Sequence, residues 1–400
     1  MVHPRAEPPL HALSRRPTLR SIEHEHHPER RATWTELFFD VVYVVAIARV
    51  AHELKQDPTL PGAAAFAGLF VPVWWSWIGV TIYADRFDAD DTADRLLLAL
   101  QMLGVAALAV QIHDGVGINA PGLALAYCGL RLLLILFYAR AWRHIPEARP
   151  LAARYMAGFS LALLPWLASV FVPSPLRFGL WAAGIAIDLL TPLASRPQQG
   201  ALPLSPAHLP ERFGLFTLIV LGETVASVVG GVAGQHWAAT SVLTAVLSFA
   251  FAFAMGWLYF DNVKHATVHP KRRSAQVWVY IHLFLMMGLT ASGAGAELLI
   301  AIPPGEPVSA AARWLFCAAT ASCFAAFAVI LRTTECSPGR RPRRDLRPGM
   351  LLVASGTMML IGLGGEALPP FLLTGSAGAL AALQLVAHHQ GRAHARRDPG

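Results

Sequence analysis

The sequence predicts an all-α integral membrane protein, a helical bundle of about twelve transmembrane helices. Only 14% of its 400 residues are charged and 55% are hydrophobic, whereas soluble domains have about 25% charged residues. The apolar residues also form blocks of about 20 residues, the length that a helix needs to cross a hydrocarbon core of about 30 Å. The expected partner is therefore the lipid bilayer. The 32 basic residues lie between the apolar blocks and form no basic stripe, so we expect no nucleic-acid partner.

Twelve segments have the length and apolar character of membrane spans. Basic residues then predict their orientation, because cytoplasmic loops are enriched in Lys and Arg. With the N-terminus inside, 27 of the 32 basic residues lie in cytoplasmic segments or within three residues of the cytoplasmic end of a span, which predicts that both termini are cytoplasmic. The predicted spans are residues 34–54, 62–84, 95–113, 121–141, 152–172, 176–193, 213–234, 238–260, 275–299, 309–331, 348–364 and 369–387.

A linker with several prolines divides these spans into two sets of six, and short motifs recur at matching places in both sets. Tyr83 and Asp85 close span 2, and Tyr259 and Asp261 close span 8. Spans that are six apart share an orientation, so the halves are predicted to be parallel repeats with a site at their interface, as in many transporters. The predicted regions are a disordered cytoplasmic tail (1–33), a first six-helix half (34–194), a cytoplasmic linker (195–212), a second six-helix half (213–387) and a basic cytoplasmic tail (388–400).

Acidic side chains inside the predicted spans are the main candidates for function. An ionisable residue in a bilayer costs about 2.5–3.5 kcal/mol on insertion scales, so it usually faces the interior of the bundle. Glu223 lies ten residues after Phe213, about 15 Å into its span. A carboxylate at this depth is expected either to carry a proton or cation or to form a buried ion pair. Asp40 lies about 9 Å into span 1. Glu36 lies one turn before Asp40, but a helix cap explains it equally well, because Thr33 and Glu36 have the spacing of a capping box.

Three further polar residues interrupt the apolar spans. Arg131 stands at the centre of span 4 and needs an acidic partner, for which Asp40 and Glu223 are the candidates. It is explained equally well as a fastener between helices. His282 could relay protons, although a hydrogen-bonded core histidine is the simpler explanation. Gln101 in span 3 is a candidate to line an ion path.

No cofactor, metal or catalytic site is predicted. The sequence has no Walker A motif, no G-x-S-x-G and no H-E-x-x-H, so ATP-driven transport and the common hydrolase designs have no support. Its four cysteines form no C-x-x-C pair, and such spacing indicates neither a zinc site nor a disulfide framework.

Four short runs are the most distinctive parts of the sequence. They are Arg31-Ala32-Thr33-Trp34-Thr35-Glu36-Leu37-Phe38-Phe39-Asp40, Trp74-Trp75-Ser76-Trp77, Leu221-Gly222-Glu223 and Tyr280-Ile281-His282. In this order they resemble the bacterial low temperature requirement A family, and the resemblance covers residues 29–390. The resemblance implies a multi-pass protein of the bacterial cytoplasmic membrane, and it implies no particular reaction.

The leading hypothesis is a secondary transporter or ion-conducting protein without enzymatic activity, coupled to protons, small cations or an unidentified small solute. Asp40 and Glu223 would bind the coupling ion. The alternative is a non-transporting membrane protein that senses or supports membrane state in cold growth, in which case the buried charges only fasten helices. A weaker third hypothesis is a membrane-embedded enzyme that modifies lipid, using His265 and His269 near Asp261.

Overall fold

The structure is a computed structural model that describes residues 17–19, 33–88, 91–205, 208–233, 235, 237–263, 267–268, 272–335 and 346–397. Helices dominate these residues, which also form a 3-10 turn (Pro146–Ala148) and two antiparallel pairs of two-residue strands, Thr18–Leu19 with Phe87–Asp88 and Thr267–Val268 with Thr334–Glu335. The helices are α1 (Trp34–Gln56), α2 (Leu60–Arg86), α3 (Thr92–Ile112), α4 (Ala120–His144), α5 (Arg149–Ser169), α6 (Leu176–Ala194), α7 (Arg196–Gln199), α8 (His208–Ala233), α9 (Ala239–Val263), α10 (Arg272–Ile300), α11 (Ala310–Thr333), α12 (Arg347–Gly364) and α13 (Pro370–Arg397).

The long helices confirm an all-α polytopic membrane protein. Each predicted span overlaps one long helix, and eleven helices among the described residues are long and apolar enough to cross a bilayer. The remaining long helix, α1, has 23 residues, a length of about 34 Å. Its five charged residues set it apart from the other eleven; they are Glu36, Asp40, Arg49, Glu53 and Lys55.

These helices are apolar on their exposed face as well as on their buried face. In α3, buried Leu98, Gln101, Val105, Leu108 and Ile112 alternate with apolar side chains that are 49–69% exposed, namely Leu96, Leu100, Leu103 and Val110. A helix in a water-soluble protein would place polar residues on that second face. Contact with lipid tails explains an exposed face of leucine and valine.

The chain folds as two compact units, the first from residues 1–46 and 72–209 and the second from residues 47–71 and 210–400. In the first unit, α3 packs against α4, α4 against α5, and α5 against α6. Aromatic rings fill its core: Trp166 stacks on Trp181 with ring centroids 5.2 Å apart, and Tyr127 lies 4.5 Å from Trp166. A Cβ at Gly184 would lie 2.5 Å from the Trp166 ring, so only glycine lets α6 approach this closely.

In the second unit, α10 packs against α11, α11 against α12, and α13 against α9. Small residues allow the closest of these approaches. A Cβ at Gly295 would lie 2.9 Å from the backbone of Phe316, and one at Gly288 would lie 2.8 Å from Cys323 Sγ. Small residues two helical turns apart are typical of tight helix packing in membranes, where van der Waals contact replaces the hydrophobic effect.

Candidate functional site

Glu223 lies in the second unit beside a close contact between α8 and α10. Thr224 Oγ1 donates a hydrogen bond to the carbonyl oxygen of Leu289 at 3.1 Å, and a Cβ at Gly293 would lie 2.9 Å from Thr224 Cα. The two helices therefore touch at the level of Glu223. The carboxyl side chain itself is half-buried.

Two charged residues, Lys55 and Glu297, lie near Glu223. Lys55 Nζ lies 2.7 Å from Glu297 Oε2, and the two side chains are 17% and 23% exposed. Among the described residues, Lys55 and Glu297 are the charged groups within electrostatic range of Glu223. We call these three residues the lysine–dicarboxylate cluster.

The charges of the lysine–dicarboxylate cluster do not balance. Lys55 is paired with Glu297, and Glu223 is a second carboxylate within electrostatic range of both, so the three ionised groups together have one negative charge in excess. An uncompensated charge within a membrane protein is costly, and a carboxylate in this situation is suited to take up a proton or a small cation. Ion binding is therefore the chemistry that this cluster supports.

Asp40 is held in the first unit by a tryptophan of the next helix. Its side chain is 1% exposed, and Trp77 Nε1 donates a hydrogen bond to Asp40 Oδ1 at 2.8 Å. One turn along α1, the Tyr43 hydroxyl lies 3.1 Å from Ser76 Oγ. The α1 and α2 residues of this unit thus meet through polar side chains, and Trp77 keeps the Asp40 carboxylate in one orientation.

We expect Trp77→Phe to lower the free energy of unfolding by about 1.5–3 kcal/mol more than Trp74→Phe does, the value of a hydrogen bond to a charged group. Trp74→Phe is the matched control, because Trp74 is equally buried and its Nε1 has no hydrogen-bond partner among the described residues. Thermal unfolding in detergent compares the two variants. Equal losses of stability would mean that the bond to Asp40 contributes nothing beyond ring packing.

A second set of acidic residues surrounds a histidine in the first unit, the histidine–dicarboxylate cluster of Glu36, Asp85 and His208. His208 Nδ1 lies 3.1 Å from Asp85 Oδ1, and His208 Nε2 lies 3.7 Å from Glu36 Oε1. The other Glu36 oxygen accepts a hydrogen bond from the Thr33 backbone at 2.8 Å, while Thr33 Oγ1 accepts from the Glu36 backbone at 3.3 Å. The capping box is therefore confirmed, and Glu36 faces His208 in addition.

Arg131 has a different partner from the two that its position suggested. Its Nε lies 3.2 Å from Asp188 Oδ2, and it donates to the Tyr127 hydroxyl, which in turn donates to Asp188 at 2.6 Å. The expectation that Arg131 pairs with Asp40 or Glu223 was wrong. Asp188 on α6 is fully buried, and its one negative charge is matched by the one positive charge of Arg131.

Gln101 and His282 are both buried and bonded to their neighbours. Gln101 Nε2 donates to the Leu130 carbonyl at 3.0 Å and so links α3 to α4. His282 Nδ1 lies 2.6 Å from the Trp278 carbonyl oxygen and its Nε2 lies 3.2 Å from the Tyr259 hydroxyl. Each side chain joins helices, and the geometry alone assigns neither of them an ion.

Comparison with known proteins identifies the family. The family model for the bacterial low temperature requirement A protein (LtrA) matches residues 31–387. The chain belongs to the LtrA family. It is also 28% identical over 303 residues to the uncharacterized protein RA0937 of Rhizobium meliloti (strain 1021), a match that spans 70% of this chain and 73% of the relative.

Five of the six candidate residues of this LtrA-family chain contact residues that were not predicted as part of the site, and Glu223 lies within electrostatic range of two more. Glu36, Asp40, Gln101 and Arg131 lie in the first unit, and Glu223 and His282 lie in the second. Lys55, Glu297, Asp85, His208 and Asp188 are the polar partners that sequence reasoning missed. Lys55 and Glu297 are 242 positions apart, and the available sequence signal was only that both are charged residues near the ends of apolar blocks.

The residues of the lipid-enzyme hypothesis are only partly described. His265 and His269 lie outside the described residues. Asp261 is described, and its Oδ2 lies 3.7 Å from His388 Nε2.

Proposed function

We propose that this LtrA-family protein is a secondary transporter or ion-conducting protein coupled to protons or small cations, with no enzymatic activity. Glu223 would be the carboxylate that takes up the coupling ion. The observation that carries the proposal is the excess negative charge of the lysine–dicarboxylate cluster, where Lys55 and Glu297 form a pair and Glu223 stands beside them. By contrast, the balanced pair of Arg131 and Asp188 has no charge left for an ion.

The same proposal includes a topology. Helix α1 would be the twelfth span, and the two sets of six spans would be parallel repeats in the bacterial cytoplasmic membrane. Both termini would lie in the cytoplasm, which agrees with the bias of the basic residues, 27 of 32 of which then lie inside or within three residues of the cytoplasmic end of a span. Asp40, deep in α1 and hydrogen-bonded to Trp77, would be a second ion-binding carboxylate.

The test uses purified protein in liposomes that contain a pH-sensitive dye, with proton, sodium and potassium gradients imposed in turn. We expect Glu223→Gln to lower the flux at least about tenfold, because an amide can neither release a proton nor supply the negative charge that binds a cation. Glu147→Gln is the control, since Glu147 is exposed and lies outside the cluster. A flux that Glu223→Gln leaves unchanged, in folded protein, would contradict the proposal.

A second function is favoured by the remaining buried polar residues. Arg131, Gln101 and His282 all bond to neighbouring helices or to their own helix, as expected if polar groups fasten a bundle that senses or supports membrane state without transport. In that case Glu223→Gln would lower the unfolding temperature, and no gradient would produce a flux. The two measurements together separate the two functions.

A further inference from the structure

A cavity of about 320 Å³ lies in the second unit, and no residue of the lysine–dicarboxylate cluster lines it. Three parts of the chain form it: the start of α9, residues 299–308 at the end of α10, and residues 366–371 between α12 and α13. Its volume falls within the range of about 300–1,000 Å³ that is typical of small-molecule sites. Leu299, Ile302 and Phe371 supply apolar wall.

Thr240 and Ser241, which we call the floor of the cavity, have buried hydroxyl groups without hydrogen-bond partners among the described residues. Ser241 is only 2% exposed, and its Oγ has no hydrogen-bond partner among the described residues. The hydroxyl of the neighbouring Thr240 is likewise buried and unpartnered there. A buried hydroxyl without a bond costs about 1–3 kcal/mol, so a polar atom of a ligand that met these hydroxyls would recover that energy.

The mouth of the cavity is acidic. Glu306 and Glu366 both line it and are both exposed. Arg313 compensates one of them, since its Nη2 lies 3.6 Å from Glu366 Oε1. Glu306 has no ion-pair partner among the described residues, so its carboxylate makes the mouth attractive to a cation.

The loop that holds Glu306 contains a hydrogen-bonded turn. Glu306 donates its backbone N–H to the Pro303 carbonyl at 3.1 Å, and Gly305 between them has a φ of +86°. Pro304 followed by a glycine of positive φ is the pattern of a type II turn. A preformed turn reduces the entropy lost when a ligand binds.

We propose that this cavity binds a small organic amine that has a hydrogen-bonding group at its far end. The ammonium group binds Glu306 at the mouth, the apolar body contacts Leu299, Ile302 and Phe371, and the second polar group bonds to Ser241 and Thr240 on the floor. The site shares no residue with the lysine–dicarboxylate cluster, so the proposal is independent of the proposed ion coupling.

Three probes separate the two polar contacts. Tyramine has an ammonium group and a hydroxyl at opposite ends of an aromatic ring, phenethylamine lacks the hydroxyl, and 4-hydroxyphenylacetate replaces the ammonium group with a carboxylate. Binding is measured by calorimetry on the full chain in nanodiscs, with empty nanodiscs subtracted. We expect tyramine to bind more tightly than phenethylamine and the anion not to bind.

Variants of Glu306 and Ser241 test which residue makes each polar contact with the amine. Glu306→Gln should weaken both amines about tenfold or more, the value of a charge-assisted hydrogen bond. Ser241→Ala should weaken tyramine about three- to tenfold and leave phenethylamine unchanged. Glu223→Gln should leave both amines unchanged, which keeps this test separate from that of the proposed function.

Several results would overturn the proposal. They are an absence of tyramine binding up to about 10 mM, equal binding of the anion, and unchanged amine affinity in folded Glu306→Gln protein. An equal effect of Ser241→Ala on both amines would also count against it, because only tyramine has a group that reaches the floor.

Discussion

The Arg131→Met variant is expected to lose about 3–5 kcal/mol of unfolding free energy, because it leaves a buried carboxylate without its counter-charge. Asp188 is 0% exposed and lies 3.2 Å from Arg131 Nε. Its second oxygen, Oδ1, has no hydrogen-bond partner among the described residues. After the substitution, the Tyr127 hydroxyl would remain as a donor to Asp188, and a neutral hydroxyl cannot balance a full charge.

Buried cysteines allow this loss to be measured unit by unit. Cys128 in the first unit and Cys317 and Cys323 in the second are buried free thiols, so a thiol-reactive fluorogenic dye labels them when the protein unfolds. In a background with Cys317, Cys323 and Cys336 replaced by serine or alanine, Cys128 reports the first unit. The labelling midpoint of Arg131→Met should fall in this background.

The double variant Arg131→Met with Asp188→Leu is the matched control. Removing both charges leaves no uncompensated group, and such exchanges are often neutral or stabilising. We therefore expect the double variant to recover most of the lost stability. A double variant no more stable than Arg131→Met would show that packing around Arg131, rather than its charge, supports the first unit.

The Gly295→Val variant is expected to destabilise the second unit by about 3 kcal/mol, at the upper end of the cost of overpacking. A Cβ at this position would lie 2.9 Å from both Cα and N of Phe316. Backbone atoms cannot rotate away as a side chain can, so α10 and α11 must move apart. The loss is measured by dye labelling of Cys317 and Cys323.

Gly356→Val is the control for this prediction. Gly356 lies in the middle of α12, is exposed, and has no atom within 4 Å of where its Cβ would be. Its substitution should change the unfolding free energy by no more than about 0.5 kcal/mol. Equal effects of the two substitutions would mean that helix propensity, and not the α10–α11 contact, determines the result.

Local features were predictable from the sequence, because they depend on residues close together in the chain. The helices follow from apolar blocks, and the capping box of Thr33 and Glu36 needs a spacing of only three residues. The burial of Asp40 and Arg131 followed from their position within apolar segments. The depth of Glu223 within its span could also be predicted by counting residues from the start of the span. No local pattern indicates which basic side chain lies near it.

The partners of these residues depend on contacts between distant parts of the chain. The bond between Tyr127 and Asp188 joins residues 61 positions apart. His208 and Asp85 are 123 positions apart. Before the packing of the helices is known, several acidic residues are equally suitable as the ion-pair partner of each basic residue. For this reason Asp40 and Glu223 were the candidate partners of Arg131.

The sequence by itself determined that this protein is a multi-pass helical membrane protein of the LtrA family, because hydropathy and short motifs are properties of contiguous residues. Only the tertiary structure decided which charges are balanced. It paired Arg131 with Asp188 and placed two carboxylates beside Lys55. The physical reason is that the energy of a buried charge depends on counter-charges within a few ångströms, and those distances exist only once the helices have packed.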